Sequence, residues 1–354
     1  MDKATINLDD LSIVETYDSG KMLETVQNLP DQCMEACALS HKIELSGFDT
    51  GNINNIVIQG MGGSSISGEL IQSLLEDVLA VPVIINKKSE LPAFVDKNSL
   101  VITISYSGNT QESLAGFNAA LQKGAKLITI SSGGRLKELA GENNIYNFSP
   151  PAGFMPRAAI AYLFFPLLNI FSKLGFAKIK DGDIDNLINL LKFLQKSWRF
   201  DIRTEQNMAK KLAHRFYEKI PVIYTNTEYL YKVALRWKTQ INENAKGLAH
   251  INCFPELMHN EIVAYTKKLP IYNDLSVILL TDPADQETKQ AVIFTKQIIQ
   301  NNLPVLELSP FGNSKLEKMF SLIYLGDFIS VYLAFLNHQD PTPIHLIDRF
   351  KSKK

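Results

Sequence analysis

Predicted strands and helices alternate regularly from residue 55 onward, and this alternation restricts the chain to one class of fold. Apolar runs rich in β-branched residues predict buried strands at 55–59, 81–85, 100–104 and 126–130. Segments with helical periodicity follow the first and third runs and end near Leu75 and Gly124. Strands joined by helical crossovers pair in parallel and are covered on both faces. The first half is therefore predicted to be an α/β domain with a parallel sheet.

The second half of the chain repeats this pattern. Strands are predicted at 220–225, 276–280 and 304–308, and helical segments follow the first two of them. The unit over 276–308 matches the unit over 99–130 element by element, which indicates an internal duplication. The loops differ, because TDPAD (281–285) stands where the first copy has SYSGNT (105–110).

The length of the chain sets the number of domains. A chain of 354 residues is too long for one ordinary hydrophobic core. A polar stretch that begins near residue 175 separates the two repeats. We therefore expect a helical N-terminal extension over 1–50, a first domain over 51–190 and a second domain over 191–354.

Composition and charge exclude several functional classes. The formal net charge is −1, so the chain has no basic field for nucleic acid. The N-terminus lacks the apolar segment of a signal peptide. The most apolar stretch, 158–171, has about 14 residues where a membrane span needs about 20, and it is expected to be a buried core helix. A cytoplasmic protein without a membrane partner is predicted.

The cysteines indicate a reducing compartment. Cys33, Cys37 and Cys253 are odd in number and lack metal-ligand spacing, so no disulfide framework and no metal site are expected. Cys33 and Cys37 lie one helical turn apart, which is compatible with a metal pair or with two buried thiols. We favour two buried thiols, because free cysteine is among the most buried residue types.

Two loops of the first half carry glycines and hydroxyl side chains where predicted strands end. GMGGS (60–64) follows the first strand, and SYSGNT (105–110) follows the third. In an open parallel sheet, ligands bind at the carboxyl ends of the strands, where helix N-termini favour an anion. The loops therefore predict a site for a phosphate group, held by amides and hydroxyls rather than by lysine or arginine. The predicted phosphate-binding residues are Gly62, Gly63, Ser64, Ser105, Ser107 and Thr110.

The same loops allow two other interpretations. Serine and threonine often cap helices without binding a ligand. GMG also approximates the dinucleotide fingerprint G-x-G-x-x-G of a nucleotide-dependent oxidoreductase, but Ser65 replaces the third glycine. That fingerprint requires an acidic residue about 20 positions further on, where this chain has Asn86-Lys87-Lys88. Two such loops on one sheet favour phosphate, and the oxidoreductase is the weaker alternative.

Further polar residues have the chemistry of an acid–base site. Arg157 precedes the most apolar helix and is either a surface residue, a member of a structural pair, or a residue that stabilises an oxyanion. The densest polar cluster, 237–265, contains Glu243 and His259. Glu243 is a candidate general base, and His259 can exchange a proton near neutral pH; solvated helix ends are the alternative. The cluster has no zinc-binding spacing, so no metal is expected.

These motifs together resemble those of the bifunctional phosphoglucose/phosphomannose isomerases. The resemblance rests on GMGGS, SYSGNTQES, PRAA, RWKTQINENAK and PELMHNEI, and it covers about residues 50–354. The first two motifs are typical of all sugar-isomerase (SIS) domains, and the last three are more specific. The resemblance implies an α/β fold of two SIS-type domains, each a parallel sheet flanked by helices.

The resemblance also implies an activity: interconversion of glucose 6-phosphate or mannose 6-phosphate with fructose 6-phosphate, through an enediol and without metal or cofactor. The loops named above would hold the phosphate of this hexose 6-phosphate. Glu243 would be the base, Arg157 would stabilise the enediolate, and His259 and Lys351 would assist ring opening. His259 would come from the neighbouring subunit of an obligate homodimer. Lys353 and Lys354 are alternatives to Lys351, and Thr342 is a weaker candidate for a sugar contact.

Two features depart from the family pattern. Ser65 and Ser67 stand where glycine or an apolar residue is expected, and Ser65 would cost about 1 kcal/mol if the turn needs a positive φ there. The first 50 residues match no family motif, although 22–40 is predicted to be one amphipathic helix that could pack across the dimer. A non-catalytic SIS module that senses sugar phosphates is the remaining alternative, but such a module would not need Glu243, His259 and Arg157.

Overall fold

The computed structural model of the protein describes residues 6–180 and 182–351. The chain forms two compact units. The first unit runs from Leu29 to Asp183, and the second combines the residues up to Asn28 with those from Ile184 onward. The segment 1–50, expected as a single extension, is therefore shared between the two units.

The strands and helices follow the predicted alternation. The strands are β1 (Asn55–Gln59), β2 (Val83–Asn86), β3 (Ser99–Ile104), β4 (Lys126–Ile130), β5 (Tyr146–Phe148), β6 (Ile220–Thr225), β7 (His250–Cys253), β8 (Leu275–Leu280) and β9 (Val305–Leu308). The α-helices are α1 (Ser12–Tyr17), α2 (Met22–Gln27), α3 (Leu29–His41), α4 (Gly63–Leu75), α5 (Gln111–Gln122), α6 (Gly134–Glu142), α7 (Ile160–Lys173), α8 (Asp183–Trp198), α9 (Met208–Phe216), α10 (Glu228–Gln240), α11 (Lys289–Gln300), α12 (Lys315–Leu336) and α13 (His345–Lys351). A π-helical turn (Ile241–Ala245) extends α10, and 3₁₀ turns lie at Pro156–Ala158, Glu256–His259, Glu261–Thr266 and Pro270–Asp274.

Five parallel strands form the sheet of the first unit, in the order β2-β1-β3-β4-β5. Every residue of β1 and β3 is buried, because helices cover both faces of the sheet. On one face, Val57 packs in a cluster with Phe117 of α5. On the other face, Ile58 lies so close to α4 that a side chain at Gly68 would collide with it. The predicted parallel α/β architecture is confirmed.

The sheet of the second unit repeats this strand order with four strands, β7-β6-β8-β9, all parallel. β6 has the bounds predicted from the sequence. The long helix α12 packs against α9 and α10 and is buried along almost its whole length. The second parallel sheet confirms the predicted repetition of the fold.

The buried apolar helices include one that the sequence analysis did not single out. α7 covers the stretch predicted to be a core helix, and it is almost entirely buried. α12 is longer, with 22 residues, and within the described residues it alone is long and apolar enough to cross a membrane. Its most apolar window is completely buried inside the protein, and the core helices of globular proteins meet the same criterion.

The prediction of one N-terminal helix over 22–40 is wrong, because two helices form there. α2 ends at Gln27 and α3 begins at Leu29, and the unit boundary falls between them. Pro30 explains the break, since within a continuous helix it would lack an N–H donor and clash with the carbonyl four residues earlier. Cys33 and Cys37 are buried thiols in α3, as favoured above.

Candidate active site

The glycine-rich loop joins β1 to α4 in the first unit. Gly62 has φ +52°, and α4 begins at Gly63. A Cβ atom on Gly63 would lie 2.8 Å from the backbone of Pro156 and 2.9 Å from the backbone nitrogen of Arg157. The absence of a side chain at Gly63 therefore allows the start of α4 to contact the segment that carries Arg157.

Ser65 does not strain this loop. It lies inside α4, and its hydroxyl donates a hydrogen bond to the carbonyl of Gly62 at 3.0 Å. The positive φ belongs to Gly62, where glycine adopts it without a steric cost. The cost considered for Ser65 does not arise, because its backbone is helical.

The two hydroxyl-bearing loops lie side by side because β1 and β3 are paired along β1's whole length. Between the loops, Ser64 Oγ accepts a hydrogen bond from the backbone N–H of Tyr106 at 3.2 Å. Within the second loop, Ser105 Oγ donates to Thr110 Oγ1 at 3.1 Å. Ser64 and Ser105 are buried, whereas Ser107 is exposed at the rim. The structure thus brings all four predicted hydroxyls to one edge of the first sheet.

Helix capping does not account for these hydroxyls. Gly62 and Thr110 occupy the N-cap positions of α4 and α5, and neither makes a side-chain cap hydrogen bond. Ser107 Oγ accepts a hydrogen bond from the backbone N–H of Asn109 at 3.3 Å, within its own loop. No side chain therefore caps either helix, although the N–H groups of Ser64 and Ser65 in the first turn of α4 donate to the carbonyls of Met61 and Gly62 at 3.0 and 3.1 Å. The N-terminus of a helix without a side-chain cap favours an anion.

A third loop, which the sequence analysis missed, supports the second. Ser132 follows β4, and its hydroxyl donates to the carbonyl of Tyr106 at 2.6 Å. Gly108 has φ +72°, and a Cβ there would lie 1.8 Å from the carbonyl oxygen of Gly133. The available signal was the pair Ser131-Ser132 directly after a predicted strand, the same pattern that identified the other two loops.

Tyr106 connects the two hydroxyl-bearing loops to the segment that leads to Arg157. Its hydroxyl donates to the carbonyl of Pro151 at 2.6 Å and accepts from the N–H of Phe154 at 3.0 Å. Burial raises the pKa of the Tyr106 hydroxyl, so it remains a neutral donor. Arg157 itself is only 3% exposed in its 3₁₀ turn, and arginine is almost never so buried without partners. The alternative of a surface arginine is excluded.

In the second unit, Glu243 lies in the π-helical turn at the end of α10. π-Helical turns are rare and frequently occur at functional sites. Glu243 is half-buried, whereas its neighbour Asn244 is fully buried and donates to Ser330 Oγ on α12 at 2.9 Å. Glu243 is therefore an accessible carboxylate on a turn whose backbone is anchored.

A buried ion pair between Arg236 and Asp327 fixes α10 to α12 about two turns before Glu243. Arg236 donates to Asp327 Oδ2 at 2.7 Å, and Gln240 donates to Asp327 Oδ1 at 2.9 Å. Burial raises the pKa of Asp327 although Arg236 and Gln240 oppose this shift. Three polar residues spaced four apart therefore attach α10 and the π turn to α12, which explains Arg236, Gln240 and Asn244 within RWKTQINENAK.

His259 is exposed at the end of a 3₁₀ turn that follows β7. Glu261, two residues later, attaches this segment to the sheet: it accepts hydrogen bonds from Asn252 at 2.6 Å, from Tyr224 and from His250, whose Nε2 lies 2.8 Å away. Burial alone would raise the pKa of Glu261, but these hydrogen bonds outweigh it and lower the pKa. Glu261 is thus a carboxylate that holds the His259 segment.

The residues after β2 differ from those that a dinucleotide-binding site requires. β2 ends at Asn86, whose amide donates to the carbonyls of Lys88 and Glu90 at 3.1 and 3.0 Å, in place of the acidic residue that a dinucleotide ribose requires. Among residues 6–180 and 182–351, no group of three His, Cys, Asp or Glu side chains is arranged to hold a metal ion.

Comparisons with known proteins assign the chain to a family. The chain is 40% identical to the bifunctional phosphoglucose/phosphomannose isomerase of Caldicellulosiruptor bescii, over 94% of this chain and 98% of that protein. It is 35% identical to the protein of the same name from Thermoplasma acidophilum, over 92% and 99%. The chain belongs to this isomerase family. Two domain families also match: the SIS domain over residues 52–154 and the bacterial phospho-glucose isomerase C-terminal SIS domain over 205–353.

Solved structures share the fold at low sequence identity. The C-terminal domain of glucosamine-fructose-6-phosphate aminotransferase from Francisella tularensis is 19% identical, with a TM-score of 0.66 over 90% of this chain and 97% of that one. Tagatose-6-phosphate ketose/aldose isomerase from Escherichia coli is 14% identical, with a TM-score of 0.65 over 91% and 95%. The predicted architecture of two SIS domains is thereby confirmed.

The remaining residues suggested by the family pattern lie in the second unit. Lys351 is exposed and ends α13, and Thr342 is half-buried in the segment before that helix. The alternatives Lys353 and Lys354 lie outside the described residues. Glu243 and His259 flank opposite ends of one strand: the π-helical turn precedes the amino end of β7, and His259 follows its carboxyl end.

Proposed function

We propose that this protein interconverts glucose 6-phosphate and mannose 6-phosphate with fructose 6-phosphate. One observation carries the proposal: two paired loops present hydroxyls, and helix N-termini without side-chain caps, beside a buried arginine whose backbone packs against Gly63. A phosphate dianion is the ligand that this combination favours. The family named above supports the choice of a sugar phosphate, and no metal or cofactor is required for the reaction.

The phosphate anchors the substrate and the acid–base residues act on its carbonyl end. Gly62, Gly63, Ser64, Ser105, Ser107 and Thr110 would surround the phosphate. Because their task is to bind rather than to transfer the phosphoryl group, neutral donors suffice, and the binding energy positions C1 and C2 for proton transfer.

Isomerisation of the open-chain sugar needs one base and one oxyanion stabiliser. Glu243 would take the proton from C2 of the aldose and return it to C1, while a proton moves between the two oxygens. The electron pair left by the C–H bond forms the C1–C2 double bond of the enediolate, and the guanidinium of Arg157 would stabilise its oxyanion. The anchored π turn supports the role of Glu243, because a base must be held at a fixed position.

We further propose that His259 and Lys351 assist ring opening, and that His259 acts in the active site of the neighbouring subunit of a homodimer. The chain order supports action across subunits, since Glu243 and His259 flank opposite ends of β7. A cytoplasmic location is proposed as well. A non-catalytic sugar-phosphate sensor is the alternative, but a sensor would not need the accessible carboxylate of Glu243 on an anchored turn.

The first experiment is an assay of the purified protein with fructose 6-phosphate in the presence of EDTA. We expect both glucose 6-phosphate and mannose 6-phosphate to form. Formation of glucose 6-phosphate alone would remove mannose 6-phosphate from the proposal and keep the mechanism. Binding of the sugar phosphate without any product would show that the protein is a sensor.

Single variants test the assignments. Glu243→Gln should lower kcat by about 10³-fold or more while fructose 6-phosphate still binds, because the base is removed and the phosphate loops are intact. Near-normal turnover of this variant would mean that another residue is the base.

Mixed dimers test the role of His259. When inactive Glu243→Gln and inactive His259→Ala chains are mixed, each mixed dimer contains one intact site if His259 acts across subunits. About a quarter of wild-type activity should then return at statistical mixing. If both residues act within one chain, mixing restores nothing.

A further inference from the structure

We propose that Lys246 is a positioning residue, which fixes the turn of Glu243 relative to the segment that enters α13. This inference rests on the proposed isomerase function. Lys246 closes the motif NENAK and follows the π-helical turn directly. None of the roles assigned above involves it.

The ammonium of Lys246 is surrounded by backbone carbonyl oxygens from two segments. On one side, Nζ donates to the carbonyls of Glu243 at 2.8 Å and Asn244 at 3.2 Å. On the other side, it donates to the carbonyls of Asp340 at 2.8 Å and Pro341 at 3.2 Å. The carbonyls at the end of a helix lack intrahelical donors and carry partial negative charge, so a cation is favourable there. One side chain thus links the Glu243 turn to residues 340–341.

The backbone conformation of Lys246 is sterically unfavourable for a residue with a side chain, and the link to residues 340–341 offsets this cost. Its φ is +55°, in the left-handed region that disfavours any residue with a Cβ atom. Glycine would adopt this conformation without a steric cost. The chain nevertheless has lysine at the left-handed position, while the adjacent Gly247 does not have a positive φ. Lysine in this conformation turns its side chain back over the carbonyls that end the helix. Non-glycine residues with positive φ are often associated with functional sites.

The segment that Lys246 holds is fixed from its other side by the N-terminal residues. Tyr17 Oη lies 3.0 Å from His338 Nδ1, and Ser19 Oγ donates to Asp340 Oδ2 at 2.5 Å. Gly20 lies so close to Thr342 that a Cβ atom would approach it to 2.4 Å. Residues 338–342 are therefore held between α1 with its following turn and Lys246. This contact gives the N-terminal residues a structural role within the second unit.

Lys246 therefore connects the turn that carries Glu243, the proposed base, with the segment that leads to Lys351, a proposed ring-opening residue. The Glu243 turn is anchored to α12 through Asn244 and to residues 340–341 through Lys246. Residues 340–341 lead within a few residues into α13, which ends at Lys351. Loss of the ammonium would free the carbonyls of the turn and shift the base, and a displacement of about 1 Å can cost about 10²-fold in rate.

The decisive variant is Lys246→Gly, which removes the ammonium and at the same time relieves the backbone strain. Glu218→Gly is the matched control: Glu218 is exposed, has φ +56° in the same unit, and takes no part in the proposed chemistry. Both variants gain the same freedom at a left-handed position, and only Lys246→Gly loses the link.

We measure kcat and KM for fructose 6-phosphate, with kcat normalised to the folded fraction determined by circular dichroism. For Lys246→Gly we expect kcat to fall by about 10- to 100-fold and KM to stay within about threefold, because the phosphate loops are untouched. With glucose 6-phosphate deuterated at C2, the isotope effect on kcat should be at least as large as in the wild type, because proton transfer is the slowed step.

Three results would overturn the proposal: a normalised kcat within about threefold of the wild type, an equal loss in Glu218→Gly, or an isotope effect that disappears. Partial unfolding leaves the test valid, since KM and the isotope effect do not depend on the amount of active enzyme. An inactive wild-type protein would instead contradict the proposed function.

Discussion

Gly63→Ala tests the contact between the glycine-rich loop and the segment that carries Arg157. Its Cβ would lie 2.8 Å from the carbonyl carbon and oxygen of Pro156 and 2.9 Å from the backbone nitrogen of Arg157. These are backbone atoms, so no side chain can rotate away. To restore ordinary van der Waals contact, the two segments must separate by about 0.6 Å. The φ of Gly63 is not positive, so alanine meets no backbone strain there and the collision is the destabilising effect.

The size of the effect follows from this separation. Forcing an extra methyl group into a packed site costs about 1–3 kcal/mol, which lowers the melting temperature of a domain of this size by several degrees. A shift of about 0.6 Å between the phosphate site and Arg157 should reduce kcat/KM by about tenfold, given that about 1 Å can cost about 10²-fold.

The assay compares thermal melting and fructose 6-phosphate turnover of Gly63→Ala with those of Gly141→Ala. Gly141 lies within α6, has no positive φ, and has open space around the position of its Cβ. Alanine there should stabilise the protein by about 0.5–1 kcal/mol and leave turnover unchanged. If Gly63→Ala behaves like Gly141→Ala, the close approach of α4 to Arg157 does not exist and the reasoning is refuted.

Two further predictions concern the second unit. Asp327→Asn leaves the buried charge of Arg236 without its counter-charge and should lower the free energy of unfolding by about 3–5 kcal/mol, measured by urea denaturation; a loss below about 1 kcal/mol would contradict the ion pair. Glu261 has a lowered folded pKa, so its stabilisation is fully present above about pH 4.5 and is lost as the pH falls through the folded pKa. Thermal melts should therefore show a smaller acid-induced loss in Glu261→Gln than in the wild type, and identical acid profiles would exclude this contribution.

The sequence by itself determined the strands that lie inside the sheets. β4 and β6 have the predicted bounds, because strands covered on both faces require continuous apolar runs. It could not reveal β7, which lies at the edge of its sheet and carries the polar residues His250 and Asn252. An edge strand with an exposed face has no apolar run to distinguish it from a loop.

The sequence also located the hydroxyl loops, because the carboxyl ends of neighbouring parallel strands must meet at one edge of the sheet. Only the tertiary structure decided how these loops are held. The contact of Gly63 with Arg157, the π turn of Glu243 and the left-handed Lys246 depend on segments far apart in the chain. Local sequence propensity does not predict such contacts. Each of them depends on packing between elements that are far apart in the chain, and such packing leaves no periodic pattern in the sequence.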